Sequence, residues 1–275
     1  MLVKPMNPVA CDPRAPLIVC GAGRSGSTLL TKMLAAHAAL SFHNENNFLS
    51  PWLWRVVGEE RFCHPSRLIP ERDRGKASAG EAPFALPDML DSEEALEAER
   101  QRLAGILAQT VLDVLGAKPG ATHWGFKEIW NGSSGFQHPW DAYDLLFPSA
   151  LWLHILRHPL EFAASCAAWN RHELTPGYLQ NQLEQWAAMV TWSRERRSRP
   201  RYFEIRYEDL IQQPRACLMP VLEAMGLPWC SACEAALGNK FVASGRQKEQ
   251  ELVVLRTYRR TRPVTQIAAL VGYDL

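Results

Sequence analysis

The residues best suited to chemistry form a glycine-rich turn between an apolar run and a helix-like segment. Residues 17–20 are apolar, and Gly21, Gly23 and Gly26 follow within six positions. From Thr28 onward, apolar residues recur at helical spacing. A glycine turn that enters a helix leaves backbone N–H groups unpaired around one point, and the helix dipole adds positive charge there. The segment therefore predicts an anion-binding loop between a strand and a helix.

Side chains in the same turn indicate which anion it binds. Arg24 supplies a guanidinium, and Ser25, Ser27 and Thr28 supply hydroxyl groups. These donors suit the oxygens of a phosphate or a sulfate.

Two better-known glycine loops fit this turn only in part. Gly21 and Gly26 keep the glycine spacing of G-x-x-x-x-G-K-[ST], but Ser27 stands where the phosphate-binding lysine belongs. That substitution disfavours a kinase or an ATPase. The dinucleotide pattern G-x-G-x-x-G also fits formally, yet no clear second strand precedes residues 42–45, where its ribose-binding acid is expected.

The rest of the chain alternates strand-like and helical patterns. The strand-like segments are 123–127, 151–156 and 201–206. Amphipathic helices are predicted at 92–115, from Pro159 onward and at 178–197, the last with a basic, solvated end at Arg194, Arg196 and Arg197. The alternation predicts an α/β fold with a central, mainly parallel sheet.

Arg157 follows the 151–156 strand directly, and Pro159 suits the first turn of the next helix. Ligands of open α/β sheets bind at the carboxyl ends of the strands. We therefore expect Arg157 and the glycine loop to face one crevice.

Composition limits the class of protein. The 275 residues carry 30 basic and 29 acidic side chains, a net charge of +1, which argues against general nucleic-acid binding. Seven scattered cysteines and the lack of a long apolar stretch predict a cytoplasmic protein without a membrane span. We expect a flexible lead-in at 1–15 and a single domain at 16–275, in which residues 63–90 have no clear role.

Four motifs together resemble the sulfotransferase superfamily, in particular bacterial members with features of the tyrosylprotein branch. They are Gly-Arg-Ser-Gly-Ser-Thr-Leu-Leu at 23–30, Gly-Phe-Lys at 125–127, Arg157 with Ser165, and Ile-Arg-Tyr-Glu-Asp-Leu at 205–210. The resemblance implies a P-loop-like, three-layer α/β/α fold. It also implies a PAPS-dependent sulfotransferase, whose donor is 3′-phosphoadenosine 5′-phosphosulfate (PAPS) and which needs no metal.

The resemblance also assigns the donor contacts. Arg157 and Ser165 would bind the 3′-phosphate, and Tyr207 would lie near the nucleotide. Trp169 stands where the tyrosylprotein branch has a further arginine. The 5′-phosphosulfate would be bound by the loop residues Gly23, Arg24, Ser25, Gly26, Ser27 and Thr28.

The catalytic groups follow in the same way. Glu45 lies twenty-one residues after Arg24, the spacing of the general base in the tyrosylprotein branch, and His43 is the fallback base. Ile129 occupies the position of the histidine base of cytosolic sulfotransferases, which favours Glu45. Lys127 and Arg24 would stabilise the charge that develops on the leaving group.

The acceptor is open at this level. A hydroxyl or amine of a small molecule, carbohydrate, lipid or peptide is expected, recognised in part by a variable segment at about 46–90. The loop at 238–248 is a candidate for donor contacts, and the oligomeric state is expected to be a monomer or a weak homodimer. Two alternative functions remain: a P-loop phosphotransferase, or a phosphoadenosine-binding protein without catalysis.

Overall fold

The described residues form a parallel β-sheet with helices on both faces. The computed structural model describes residues 12, 14–45, 49–74, 88–130, 140–238 and 262–274. The five strands of this part are β1 Leu17–Ala22, β2 Leu40–His43, β3 His123–Trp130, β4 Leu151–Leu156 and β5 Tyr202–Arg206. All neighbouring pairs are parallel, and the spatial order is β2-β3-β1-β4-β5. Every residue of β1 and β4 is buried, as their largely apolar sequences predict.

The helices start where the sequence supplies suitable first residues. Ser92 Oγ accepts a hydrogen bond of 3.1 Å from Ala95 N, and Thr175 Oγ1 accepts one of 3.2 Å from Tyr178 N. Pro159 occupies the first helical turn after β4. The α-helices are α1 Ser27–Ala35, α2 Leu49–Leu53, α3 Glu93–Leu115, α4 Asp141–Leu146, α5 Pro159–Asn170, α6 Pro176–Arg196, α7 Tyr207–Gln212, α8 Pro214–Ala224, α9 Ser231–Ala235 and α10 Arg262–Leu270.

Two helical layers enclose the sheet. On one face, Val19 of β1 and Leu153 of β4 join Leu30 of α1 and Leu218 of α8 in a buried apolar cluster. On the other face, Trp152 of β4 meets Trp192 of α6 edge to face, with ring centroids 5.6 Å apart. The predicted three-layer α/β/α class with a parallel sheet is therefore confirmed.

The chain divides into two compact units. The first comprises residues 1–47, 115–138 and 149–275 and contains the sheet. The second comprises residues 48–114 and 139–148; it holds α2, α3, α4 and a π-helical segment at Trp54–Phe62. The predicted lead-in at 1–15 and the single domain at 16–275 stay predictions.

Two details of the sequence interpretation are wrong. The segment before Glu45 does contain a strand, β2, whose four residues alternate too briefly to be recognised and which is fixed by pairing with β3. The end of α6 is not a fully solvated basic run. Arg196 is only 7% exposed, because its guanidinium lies 3.8 Å from the centre of the Trp192 ring, while Arg197 is exposed.

Candidate functional site

The turn between β1 and α1 has the backbone geometry of an anion loop. Gly26 precedes α1 with φ 97°, and Arg24 also has a left-handed backbone, with φ 72°. Ser25 is buried, and its Oγ donates a 2.7 Å hydrogen bond to the carbonyl of Ala22, which fixes the turn. Because the first N–H groups of a helix have no partner within it, the start of α1 can accept a negatively charged ligand.

Tyr207 packs against this turn. A Cβ atom on Gly26 would lie 2.2 Å from Cδ2 of Tyr207, so glycine alone allows the ring its position. The guanidinium of Arg157 lies 4.9 Å from the centre of the same ring. Tyr207, the first residue of α7, thereby connects the glycine loop with the arginine that follows β4.

Lys127, Glu45 and Thr28 meet at one point. Lys127 Nζ lies 2.8 Å from Glu45 Oε1 and donates a 3.3 Å hydrogen bond to Thr28 Oγ1. The Lys127 side chain is 6% exposed and that of Glu45 is 37% exposed. β3 supplies the lysine, the segment after β2 supplies the glutamate and α1 supplies the threonine. A buried cation is thus aimed at the start of α1, next to a carboxylate that solvent or a substrate can reach.

Arg24, Arg157 and Ser165 form a second group. Arg24 Nε donates a 3.3 Å hydrogen bond to Ser165 Oγ, and Arg157 Nη1 donates one of 3.2 Å to the carbonyl of Arg24. Glu161, one turn into α5, lies 3.6 Å from Arg157 Nη2. The expected meeting of Arg157 with the glycine loop is therefore observed. This contact lies at the switch point of the sheet, where β1 lies between β3 and β4.

His43 lies on the other side of the sheet from Lys127. It pairs with Phe126 in the register of β2 and β3, and neighbouring residues of a strand face opposite sides. Burial lowers the pKa of His43, and nearby Lys118 lowers it further. Its Nε2 is buried without a hydrogen-bond partner among the described residues. The geometry thus brings Glu45, and not His43, to the lysine.

Two supporting residues were missed in the sequence. Trp186 Nε1 donates a 3.0 Å hydrogen bond to the carbonyl of Arg157, and Glu208 Oε1 accepts one of 3.0 Å from the backbone N–H of His158. Tyr273 in turn donates to Glu208 Oε2 over 2.8 Å. Glu208 directly follows Tyr207 in the recognised motif and could have been singled out there. Trp186 carries no such signal, because its contact arises only from the packing of α6.

Cys166 packs beneath the loop, with its Sγ 3.8 Å from the carbonyl of Gly23. Burial raises the pKa of this thiol to about 12. A protonated thiol of this kind is unreactive, so Cys166 fills space under the loop.

Comparison with known proteins identifies the chain. The model of the Sulfotransferase family matches residues 16–231, which is more than half of the sequence. The chain belongs to the sulfotransferase family. Its fold is similar to two solved sulfotransferase domains. The domain of the olefin synthase of Synechococcus PCC 7002 is 17% identical, with a TM-score of 0.55 over 95% of each chain.

The second is a sulfotransferase domain from the curacin biosynthetic pathway, 15% identical, with a TM-score of 0.54 over 95% of this sulfotransferase and 98% of that domain. Because the sequence identities are this low, the two similarities show that the chain shares the fold of these domains. No curated protein sequence matches the chain at a significant level.

Three further findings concern the described part of this sulfotransferase. No helix there is long and apolar enough to cross a membrane. Within the same residues, no group of three or more His, Cys, Asp or Glu side chains could hold a metal ion. Residues 239–248 of the candidate donor loop and residues 46–48 and 75–87 of the candidate acceptor segment lie outside it.

Proposed function

We propose that this sulfotransferase moves a sulfonyl group from PAPS to a hydroxyl or amine of its acceptor, with Glu45 as the general base. The observation that carries the proposal is the contact of Lys127 with both Glu45 and Thr28. A carboxylate, a cation and the N-terminus of α1 lie together there, which supports the proposal. These are the groups that an in-line transfer to a protonated nucleophile requires.

The residues present suit a donor with anionic groups at both ends of its nucleotide. The start of α1 and the glycine loop offer backbone N–H groups to a 5′-phosphosulfate. Arg157 and Ser165 offer donors to a 3′-phosphate, as the resemblance implies, and ATP lacks that phosphate. Arg157 Nε is buried without a hydrogen-bond partner among the described residues, so this guanidinium has donor capacity for a ligand.

PAPS supplies an activated sulfonyl group and a good leaving group, 3′-phosphoadenosine 5′-phosphate. Glu45 takes the proton of the acceptor as the acceptor's oxygen or nitrogen forms a bond to sulfur. Lys127 donates to the bridging oxygen, which gains negative charge as its bond to sulfur breaks. The 3.3 Å contact with Thr28 already holds the ammonium group over the first turn of α1.

Glu45 and Lys127 therefore exchange partners during the cycle. In the structure each charge has the other as its partner, at 2.8 Å. With donor bound, Lys127 turns toward the leaving oxygen and Glu45 becomes available to the acceptor.

Donor binding is tested by calorimetry with 3′-phosphoadenosine 5′-phosphate, and with ATP and NAD as controls. We expect tight binding of the bisphosphate alone, and loss of binding in Arg157→Ala. Preferential binding of ATP, or no binding of the bisphosphate, would contradict the proposed donor.

The base is tested with Glu45→Gln, which keeps the shape of the side chain, and with His43→Gln as the matched control. In Glu45→Gln we expect transfer from radiolabelled PAPS to fall by about 10²–10⁴-fold while the bisphosphate still binds. His43→Gln should keep most of the transfer activity. Equal losses in the two variants would contradict the assignment of Glu45.

A further inference from the structure

We propose that Arg24, held by the face of Trp169, binds the 3′-phosphate of the donor together with Arg157 and Ser165, and does not act at the sulfonyl group. This inference rests on the proposed function. It changes the role of Arg24 from the one that the glycine-loop sequence suggests.

The direction of the Arg24 side chain is the first observation. Arg24 lies in the glycine loop, but its Nε donates to Ser165 Oγ on α5, 3.3 Å away. Its backbone is left-handed, with φ 72°, which is unusual for a residue other than glycine. The cation at the start of α1 is instead Lys127, which contacts Thr28.

The charge around the two arginines is the second observation. Arg24 has no carboxylate within ion-pair distance among the described residues. In the same described part of the chain, Arg157 has only Glu161, at 3.6 Å, and the Glu161 side chain is 54% exposed. The Arg24 guanidinium thus contacts Ser165, and the Arg157 guanidinium contacts the backbone of Arg24, with little negative charge to offset them. A phosphate dianion bound there would be held by fork-shaped donors on both sides.

Trp169 is the third observation. It follows Ser165 by four residues on α5 and so lies on the same face of the helix, one turn further on. The Trp169 side chain is 69% exposed, yet the guanidinium of Arg24 lies 4.4 Å from the centre of its ring. A cation over an indole face is held in place by the ring's negative potential. Trp169 is thus a positioning residue, which orients Arg24 toward Ser165.

The test compares two probes, 3′-phosphoadenosine 5′-phosphate and adenosine 5′-phosphate, which differ only in the 3′-phosphate. In Arg24→Ala we expect the affinity for the bisphosphate to fall by about 10–100-fold, the usual effect of losing one charge-assisted hydrogen bond. The affinity for adenosine 5′-phosphate should stay within about twofold of wild type. Arg215→Ala, which removes an exposed arginine 6.0 Å from the Trp229 ring, is the matched control and should change neither.

Trp169 is tested through Arg24. Trp169→Ala should weaken bisphosphate binding by about 2–5-fold, and Trp169→Phe should restore most of it, because a phenyl face also holds a guanidinium. Combined with Arg24→Ala, Trp169→Ala should have no further effect. An additional loss in the double variant would mean that Trp169 contacts the ligand itself and would overturn its positioning role.

The outcomes separate this inference from the proposed function. If Arg24→Ala weakens both probes equally, or neither, Arg24 does not bind the 3′-phosphate, although the sulfotransferase proposal stands. If wild type does not prefer the bisphosphate to adenosine 5′-phosphate, the proposed donor fails first.

Discussion

Removing either partner of the Lys127–Glu45 pair should abolish transfer, but only one removal should destabilise the fold strongly. In Glu45→Ala the Lys127 side chain, 6% exposed, keeps only the 3.3 Å contact with Thr28 among the residues that the structure describes. An almost buried charge that loses its partner costs about 1–3 kcal/mol. In Lys127→Met the Glu45 side chain, 37% exposed, can be hydrated instead, and methionine fills the space of the lysine stem. That change should cost about 0–1 kcal/mol.

Thermal unfolding without donor measures this asymmetry. A difference of about 1–2 kcal/mol corresponds to a melting temperature lower by about 2–8 °C in Glu45→Ala than in Lys127→Met. The exposed pair Arg55–Glu60, with atoms 3.0 Å apart, is the control, and truncating either partner should change stability little. Equal melting temperatures in Glu45→Ala and Lys127→Met, or the opposite order, would refute the view of Lys127 as a buried cation that depends on Glu45.

Three other predictions follow from individual residues. Gly26→Ala should prevent bisphosphate binding in calorimetry, because the new Cβ would lie 2.2 Å from Cδ2 of Tyr207 and the φ of residue 26 is 97°. The double variant with Tyr207→Ala removes the clash but not the backbone strain, so it should not regain full affinity. Burial lowers the pKa of His154 to about 3, so the stability it provides is complete above its unfolded pKa of 6.5 and is lost as the pH falls toward 3. We therefore expect the free energy of unfolding, measured in urea between pH 6 and pH 4, to fall as the pH is lowered. The fall should be steeper in wild type than in His154→Leu by up to about 1.4 kcal/mol per pH unit. Equal slopes in the two proteins would contradict this prediction. Arg196→Ala should lower the free energy of unfolding in urea by about 1–2 kcal/mol, because Arg196 is buried against Trp192. Arg197 is exposed, so Arg197→Ala should change that free energy little. Similar losses in the two variants would count against the burial of Arg196.

The strands that the sequence predicts well are those whose own composition determines them. β4 is apolar except for His154 and is buried on both faces, and Pro159 marks the start of the next helix. β2 carries no such signal. Its Ser41 and His43 alternate with apolar residues over only four positions, and the strand exists because β3 offers a neighbouring edge. Tertiary pairing of this kind is not visible in a local pattern.

The site shows the same division. The sequence predicts the glycine loop and Arg157 as parts of the site, because a turn into a helix and the end of a buried strand are local features. Glu45 was found only through its spacing from Arg24, and the structure adds that it contacts Lys127. The orientation of Arg24 could not be predicted, because it depends on Ser165 and Trp169, more than 140 residues further along the chain.

The proposed function assigns donor binding and proton transfer to two different groups of charged residues. Lys127 and Glu45 lie at the start of α1, where the bond to sulfur would break. Arg24 contacts Ser165 and its own carbonyl accepts from Arg157, in the region that we propose for the 3′-phosphate. Tyr207 touches both regions, since its ring packs on Gly26 and beneath Arg157. A change at Tyr207 should therefore alter donor affinity and the rate of transfer together, whereas Glu45→Gln should lower the rate and leave donor affinity unchanged.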